Sequence, residues 1–146
     1  MNPTLARLFD EYAADHRHPT NRLTHKLAIP LIVFHILAML HWVQLGAGLS
    51  LGHLGWLFAS AFYLWAWPRL GLGMALLFGL CLPLSELVPA PVVVGMAVVG
   101  WTVQLAGHSI WEKNRPSFAR NLVQALVGPI FFVALLTGSW RPARAD

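Results

Sequence analysis

Residues 91–111 read PVVVGMAVVGWTVQLAGHSIW, an apolar stretch without a single charged side chain. A helix needs about 20 such residues to cross the hydrocarbon core of a bilayer, so this stretch predicts a membrane span. Four further apolar runs cover approximately residues 27–46, 51–67, 70–88 and 121–138. Backbone polar groups within lipid must be hydrogen-bonded inside their own segment, which makes strands unfavourable. The sequence therefore predicts an all-α, polytopic integral membrane bundle of about five spans, in which the short second run is tilted or incomplete.

The composition also favours a membrane protein. Hydrophobic residues make up 57% of the 146-residue chain and charged residues only 11%, whereas soluble domains carry about 25% charged residues. So few charges could hardly cover a water-facing surface. The length indicates one membrane-embedded domain, 1–146, in which a polar segment (1–26) precedes the helical bundle (27–138) and a short tail (139–146) follows it.

The polar segment begins with a predicted amphipathic helix. Leu5, Leu8, Phe9 and Tyr12 recur at helical spacing after Pro3, a residue type that suits the first turn of a helix. Charged side chains occupy the opposite face. The pattern predicts a short helix that lies on the membrane surface or against the bundle.

The distribution of basic residues predicts the orientation in the membrane. With five spans, the N-terminal segment and the second and fourth loops share one side, and eight of the ten basic residues lie there: Arg7, Arg17, Arg22, Lys26, Arg69, Lys113, Arg115 and Arg120. The other side holds only Arg141 and Arg144. Since Lys and Arg accumulate in cytoplasmic loops, the N-terminus is predicted to be cytoplasmic. The net charge of +4 forms no basic stripe interleaved with aromatics, which argues against a nucleic-acid partner.

The seven histidines of the chain are the main candidates for function, because ionisable groups within a membrane are costly and often functional. His16 and His25 precede or open the first span, whereas His108 and Glu112 close the fourth. The predicted topology brings both groups to the cytoplasmic face. Gln104, His108 and Glu112 are spaced by four residues and are therefore predicted to share one helix face.

Imidazole and carboxylate groups in this arrangement predict a metal site. Two or three histidines with a carboxylate and open coordination positions suit Fe(II) that reacts with dioxygen, and zinc fits nearly as well on residue type alone. The simpler interpretation is that these histidines only form interfacial hydrogen bonds and that Glu112 belongs to a solvated loop. Of the other histidines, His35 and His41 are predicted to form interhelical hydrogen bonds. His18, beside Pro19, is predicted to be a loop residue, and His53 to lie solvated in the loop on the opposite side.

Two segments resemble a known family. The first reads Tyr12-x-x-x-His16 and continues through Asn21 to His25 and Pro30. The second reads Trp101-x-x-Gln104-x-x-Gly107-His108-x-x-x-Glu112-Lys113-x-x-Pro116 and is followed by Gly128-Pro129-x-Phe131. Together they resemble the membrane 2-hydroxy fatty acid dioxygenases, which are Fe(II)-dependent alpha-oxidation proteins of phytosphingosine breakdown. The resemblance spans most of the chain, and the second string is the more specific.

The resemblance implies several membrane helices around Fe(II). It also implies a reaction in which a 2-hydroxy fatty acid and dioxygen give a fatty acid one carbon shorter. His16, His25 and His108 are the implied iron ligands. Glu112 is implied to be either a fourth ligand or a partner that orients an imidazole.

Three further residues are candidates for the substrate site. By the resemblance, Asn21 and Gln104 form hydrogen bonds near the iron ligands or with the substrate. Lys113 lies beside the motif histidine, where its charge could attract a carboxylate from the cytoplasmic surface. The aliphatic tail of the substrate would then run between helices into the bilayer. The alternatives are a non-catalytic membrane protein that binds metal or lipid, a small transporter or channel subunit, and a zinc hydrolase that acts on lipids.

Overall fold

The computed structural model describes residues 1–141, which form six α-helices and one short hairpin. In chain order the elements are α1 (Pro3–Ala14), α2 (Pro19–His41), β1 (Gln44–Gly46), β2 (Leu49–Ser50), α3 (Leu51–Ala66), α4 (Pro68–Glu86), α5 (Ala90–Ala106) and α6 (Gln124–Leu136). A π-helical turn, Gly107–Glu112, continues α5, and a 3-10 turn, Ser117–Ala119, precedes α6. The predicted all-α class is confirmed. The end of the predicted tail, with Arg144, lies outside the described residues.

Local sequence explains where the first two helices begin. The Asn2 side chain caps α1 by accepting a hydrogen bond from the backbone N–H three residues later (2.8 Å), and Pro3 takes the first helical position. His18 caps α2 in the same way, with its Nδ1 accepting from the N–H two residues later (3.2 Å), and Pro19 follows it. Only four residues therefore separate α1 from α2.

Helix α1 buries the apolar face that the sequence predicts. Leu5, Leu8, Phe9 and Tyr12 are all buried, and the Phe9 ring meets Phe131 of α6 edge-on with 5.2 Å between the ring centroids. The face thus packs against α6 within the protein. Contact of the opposite face with a membrane surface stays a prediction.

Three helices of the described chain are long and apolar enough to cross a membrane. They are α2, α4 and the continuous helix Ala90–Glu112. Each of the five predicted runs contains a helix, but α3 has 16 residues and α6 has 13, fewer than the roughly 20 that a span needs. The prediction of about five spans is therefore not confirmed. Exposed leucines on α4, such as Leu72, Leu76 and Leu80, are compatible with contact with lipid.

Helix α2 is the central element of the bundle. It packs against α5, α4 and α3, while α3 also lies along α4 and α1 lies against α6. The beginning of α2 therefore meets the end of α1 and the end of α5, together with the π-helical turn, at one end of the molecule. The hairpin and the start of α3 lie at the other end.

Histidines in the second half of α2 and at the start of α3 form hydrogen bonds between helices or at a helix end. His41 lies between Ser50 Oγ (2.7 Å from its Nδ1) and Glu86 Oε1 on α4 (3.2 Å from its Nε2). His35 on α2 accepts a hydrogen bond from α5 (3.2 Å), so the interhelical bonds predicted for both residues are confirmed. The solvated-loop prediction for His53 is wrong, because this half-buried residue and Ser50 cap the start of α3 reciprocally.

Candidate metal centre

Three buried histidines from three elements meet at one point. His16 follows α1, His25 lies in the second turn of α2, and His108 lies in the π-helical turn. Their side chains are almost fully buried, and one nitrogen from each lies within 4.8 Å of the others. The Nε2 atoms of His25 and His108 are 3.0 Å apart. The three histidines singled out from the sequence are therefore brought together.

Backbone carbonyls determine which nitrogen of two of these rings carries the proton. Nδ1 of His16 donates to the carbonyl oxygen of Tyr12 (2.6 Å), and Nδ1 of His25 donates to that of Asn21 (2.9 Å). A carbonyl can only accept, so both Nδ1 atoms are protonated and both Nε2 atoms keep a free lone pair. In known metal sites a hydrogen bond of this kind orients the ligating imidazole.

The nitrogen atoms fit a divalent transition metal. Nε2 of His16 and Nδ1 of His108 are buried and have no hydrogen-bond partner among the described residues. A buried polar atom without a partner costs free energy, and a metal ion would remove that cost at Nε2 of His16. Three imidazoles leave coordination positions open for a substrate and dioxygen.

The electrostatic surroundings keep His16 in the form that binds metal. Burial, together with the nearby His108 imidazole, lowers the pKa of His16 to about 4, although the hydrogen bond to the Tyr12 carbonyl opposes this shift. His16 is therefore neutral at pH 7, as ligation requires. The Tyr12 ring stacks on the His16 imidazole with 3.9 Å between centroids, and burial raises the pKa of its hydroxyl so that it stays protonated.

Asp15 anchors the end of α1 to the loop that follows the π-helical turn. Its carboxylate accepts hydrogen bonds from the Ser117 hydroxyl (2.8 Å) and from the Arg120 guanidinium. Burial alone would raise the pKa of Asp15, but these hydrogen bonds and the Arg120 charge outweigh it and hold the pKa below its usual value. The resulting ion pair positions the neighbouring His16.

Glu112 contacts α2 through hydrogen bonds. Its Oε1 accepts hydrogen bonds from the His18 backbone N–H (2.8 Å) and from Nδ2 of Asn21 (3.1 Å). The potential ligand atoms that lie within 4.8 Å of one another belong to the three histidines, and Glu112 is not among them. The π-helical turn winds differently from the α-helix that the spacing of four residues assumed. Of the two implied roles, this contact fits the partner that orients an imidazole, because the Asn21 carbonyl holds His25.

Gly107 allows α2 and α5 to approach closely beside these histidines. A Cβ atom at this position would lie 2.4 Å from Oδ1 of Asn21 and 2.6 Å from Oγ1 of Thr24. Any other residue would push the two helices apart or displace Asn21. The Asn21 side chain, a predicted substrate-site residue, faces Glu112 and Gly107 in the structure.

The other two predicted substrate-site residues differ in environment. Gln104 is buried one turn before His108, and its Oε1 has no hydrogen-bond partner within residues 1–141. Lys113 is exposed and adopts a left-handed backbone conformation with φ of 53° at the end of the π-helical turn.

Two apolar cavities adjoin the metal centre. The first, about 270 Å³, lies between α2, α3, α5 and α6 and touches His16 and His108. The second, about 390 Å³, lies between α2, α4 and α6 and touches His25. Tyr63 and Gln124 also line the first cavity, and each has a buried oxygen without a partner in the described part of the chain. Neither residue is a candidate from the sequence, because each lies in an apolar run without a motif around it.

Comparison with known proteins identifies the family. The profile of the family described as "2-hydroxy-palmitic acid dioxygenase Mpo1-like" matches residues 3–140. The chain is 33% identical over 130 residues to the Saccharomyces cerevisiae 2-hydroxy-palmitic acid dioxygenase MPO1, a match that covers 84% of this chain and 72% of the yeast protein. No solved structure matches the chain. The resemblance seen in the two sequence strings is thus confirmed, and the chain belongs to the Mpo1-like 2-hydroxy-palmitic acid dioxygenase family.

Proposed function

We propose that this protein is a membrane-embedded, Fe(II)-dependent dioxygenase that shortens 2-hydroxy fatty acids by one carbon. The observation that carries the proposal is the group of three buried histidines beside an apolar cavity. The name of the yeast relative, 2-hydroxy-palmitic acid dioxygenase, supports the class of substrate.

The proposed reaction balances without a further co-substrate. A 2-hydroxy acid, R–CH(OH)–COOH, and one O₂ give R–COOH, CO₂ and H₂O. The bond between C1 and C2 breaks, C2 is oxidised to a carboxyl group, and C1 leaves as CO₂. The substrate supplies all four electrons that reduce dioxygen, so no 2-oxoglutarate is needed.

The residues have distinct proposed roles. His16, His25 and His108 would hold Fe(II), which would supply the redox centre for dioxygen chemistry. Glu112 and Asn21 would position His25 through the contacts described above.

The substrate head group would also be bound by residues of this chain. The unpartnered Oε1 of Gln104 would accept a hydrogen bond from the hydroxyl group of the substrate. Exposed Lys113 would attract the carboxylate from the surface. Burial of the centre would exclude bulk water and keep His16 neutral.

We also propose that the protein lies in a membrane with this centre at the cytoplasmic face. The three helices long enough to span support the first part. The concentration of Lys and Arg around the N-terminus and the loop after α5 supports the second.

The proposal is tested by oxygen uptake. The detergent-purified protein, reconstituted with Fe(II) under anaerobic conditions, is given 2-hydroxypalmitate and oxygen, and the products are identified by mass spectrometry. We expect equal amounts of oxygen consumed and of the acid one carbon shorter formed. His108→Ala should abolish both, whereas His53→Ala, at the hairpin end, should retain them.

Two results would contradict the proposal. Stoichiometric iron without oxygen uptake across a range of hydroxy acids would favour a non-catalytic metal- or lipid-binding protein. Hydrolysis of an ester- or amide-linked lipid that proceeds without oxygen, with no shortened acid formed from 2-hydroxypalmitate, would favour a zinc hydrolase.

A further inference from the structure

The two cavities beside the metal centre differ in the polar residues that line them. Among the described residues, six buried side-chain nitrogen or oxygen atoms lack a hydrogen-bond partner. Five of them belong to residues that line the first cavity: His16, Tyr63, Gln104, His108 and Gln124. The second cavity is lined by none of these residues. Since buried polar groups are normally paired, the first cavity has the features of a site for a ligand with a polar head and an apolar body.

Amide orientation in this cavity indicates what kind of head group fits. Nε2 of Gln124 donates to the backbone oxygen of Leu8 (3.4 Å) and to Oε2 of Glu11 (3.2 Å). Both partners are acceptors, so the amide nitrogen is held by α1 and the oxygen is left without a partner. The first cavity is therefore lined by two residues, Gln104 and Gln124, whose buried amide oxygens lack a partner among residues 1–141, and a small side-chain rotation would bring either oxygen to a ligand that carries a hydroxyl group.

The apolar end of the first cavity lies far along α2. Its lining continues from Ile29 through Ile36 to Leu40. Fifteen residues separate His25 from Leu40, or about 22 Å at the helical rise of about 1.5 Å per residue. An extended alkyl chain with C–C bonds of about 1.5 Å advances about 1.25 Å per carbon. The distance thus corresponds to an acid of about 16 to 18 carbons.

Gly55 of α3 lies at this apolar end. A Cβ atom on Gly55 would lie 3.2 Å from Cδ1 of Leu40 and 3.9 Å from Cδ2 of Leu37, and all three residues line the cavity. The Cβ position of Gly55 is therefore already in tight contact with Leu40, and a side chain there would press on the two leucines that form this end of the cavity. The nearest atoms are the ends of flexible leucines, so a larger residue can be accommodated without a backbone shift.

We propose that the alkyl chain of the substrate lies in the first cavity and that Gly55 sets the longest chain that the protein accepts. The inference rests on the proposed function, because it takes the ligand to be the 2-hydroxy acid. A leucine at position 55 would displace Leu37 and Leu40 toward the cavity and take up a volume of about three methylene groups of the alkyl chain. Each excluded methylene weakens binding about fourfold.

The test compares binding of 2-hydroxy acids of 12 and 16 carbons to the Fe(II)-loaded protein without oxygen, by displacement of a fluorescent fatty acid. In Gly55→Leu, the affinity for the longer acid relative to the shorter should fall roughly fiftyfold. Gly95→Leu on α5 makes the same change where nothing lies within 4 Å, and should leave the ratio unchanged. Cys81→Leu narrows the second cavity and should also leave it unchanged.

Two outcomes would overturn the inference. An unchanged ratio in Gly55→Leu would mean that the chain does not reach this end, and a fall only in Cys81→Leu would place the chain in the second cavity. Should Gly55→Leu fail to fold, Leu40→Ala gives the opposite test: it should strengthen binding of a 20-carbon acid relative to a 16-carbon acid, and no change would refute the proposal. If the unmodified protein binds the acids in this length-dependent way but takes up no oxygen, the proposed function is wrong and the inference about the cavity still holds.

Discussion

Replacement of Gly107 by Ala should damage the metal centre without touching a proposed ligand. The backbone at Gly107 is helical, with φ of −53° and ψ of −50°, so alanine causes no conformational strain there. The added methyl group would nevertheless lie 2.4 Å from Oδ1 of Asn21 and 2.6 Å from Oγ1 of Thr24. Asn21 is fully buried and hydrogen-bonded to Glu112, so its side chain cannot turn into solvent.

The magnitude follows from the two ways of relieving this overlap. Either α2 and α5 separate, or Asn21 gives up its hydrogen bond to Glu112, and overpacking of this kind costs about 1–3 kcal/mol. Separation would also increase the distance of 3.0 Å between the Nε2 atoms of His25 and His108. Because supporting contacts of metal ligands are worth about 10- to 100-fold in affinity, we expect a weakening of iron binding in this range.

The assay measures thermal unfolding in detergent and Fe(II) affinity against a competing chelator. Gly95→Ala is the matched control, since it makes the same substitution on α5 at a position where the described residues place no atom within 4 Å of the added Cβ. Both variants gain a similar stabilisation of about 1 kcal/mol from the higher helix propensity of alanine. Asn21→Ala should lower the free energy of unfolding less in the Gly107→Ala variant than in the unmodified protein. The interaction energy of this double-mutant cycle should be about 1–3 kcal/mol. Equal unfolding temperatures and equal iron affinities in the two glycine variants would refute the steric argument.

Further predictions concern residues around the centre and at the hairpin end. Asp15→Asn should lower the unfolding temperature at pH 7. The pKa of Asp15 is depressed in the folded state. Its contribution to the free energy of unfolding is therefore fully present above the unfolded-state pKa of about 3.9, and it is lost as the pH falls through the folded-state pKa. The two proteins should therefore converge in a pH series below about 4, and a constant difference would exclude this role. Ser50→Ala removes the cap of α3 and should lower the free energy of unfolding by about 1–2 kcal/mol in chemical denaturation. Iron affinity should be unchanged, and weakened iron binding would contradict the expectation that the hairpin end does not influence the metal centre. Trp101→Phe deletes the donor to His35 (3.2 Å) and should cost about 1 kcal/mol in the same assay, whereas an unchanged stability would show that this bond contributes nothing.

Much of the fold could be predicted from the order of residues alone. Each apolar run contains a helix, and the periodic residues of the N-terminal segment are buried in α1. Hydropathy and helical spacing are local properties, so they can be found without knowing what a helix packs against. The number of spans was less predictable, because apolar composition does not decide whether a helix as short as α3 or α6 crosses a bilayer.

The candidate site was predictable in its histidines and less so in its surroundings. The topology inferred from Lys and Arg brought His16, His25 and His108 to one face, and the structure has them together. The spacing of four residues predicted that Glu112 shares a helix face with His108. The π-helical turn instead directs the Glu112 carboxylate to α2.

The sequence by itself determined the class of the protein, its helices and the residue types able to bind a metal. Only the tertiary structure decided which nitrogen of His16 and His25 is free, why Gly107 must lack a side chain, and that Gln124 lines a cavity with Gln104. The physical reason is that hydropathy belongs to each residue separately. A proton position, a steric overlap or an unpaired oxygen belongs to contacts between helices that are far apart in the chain.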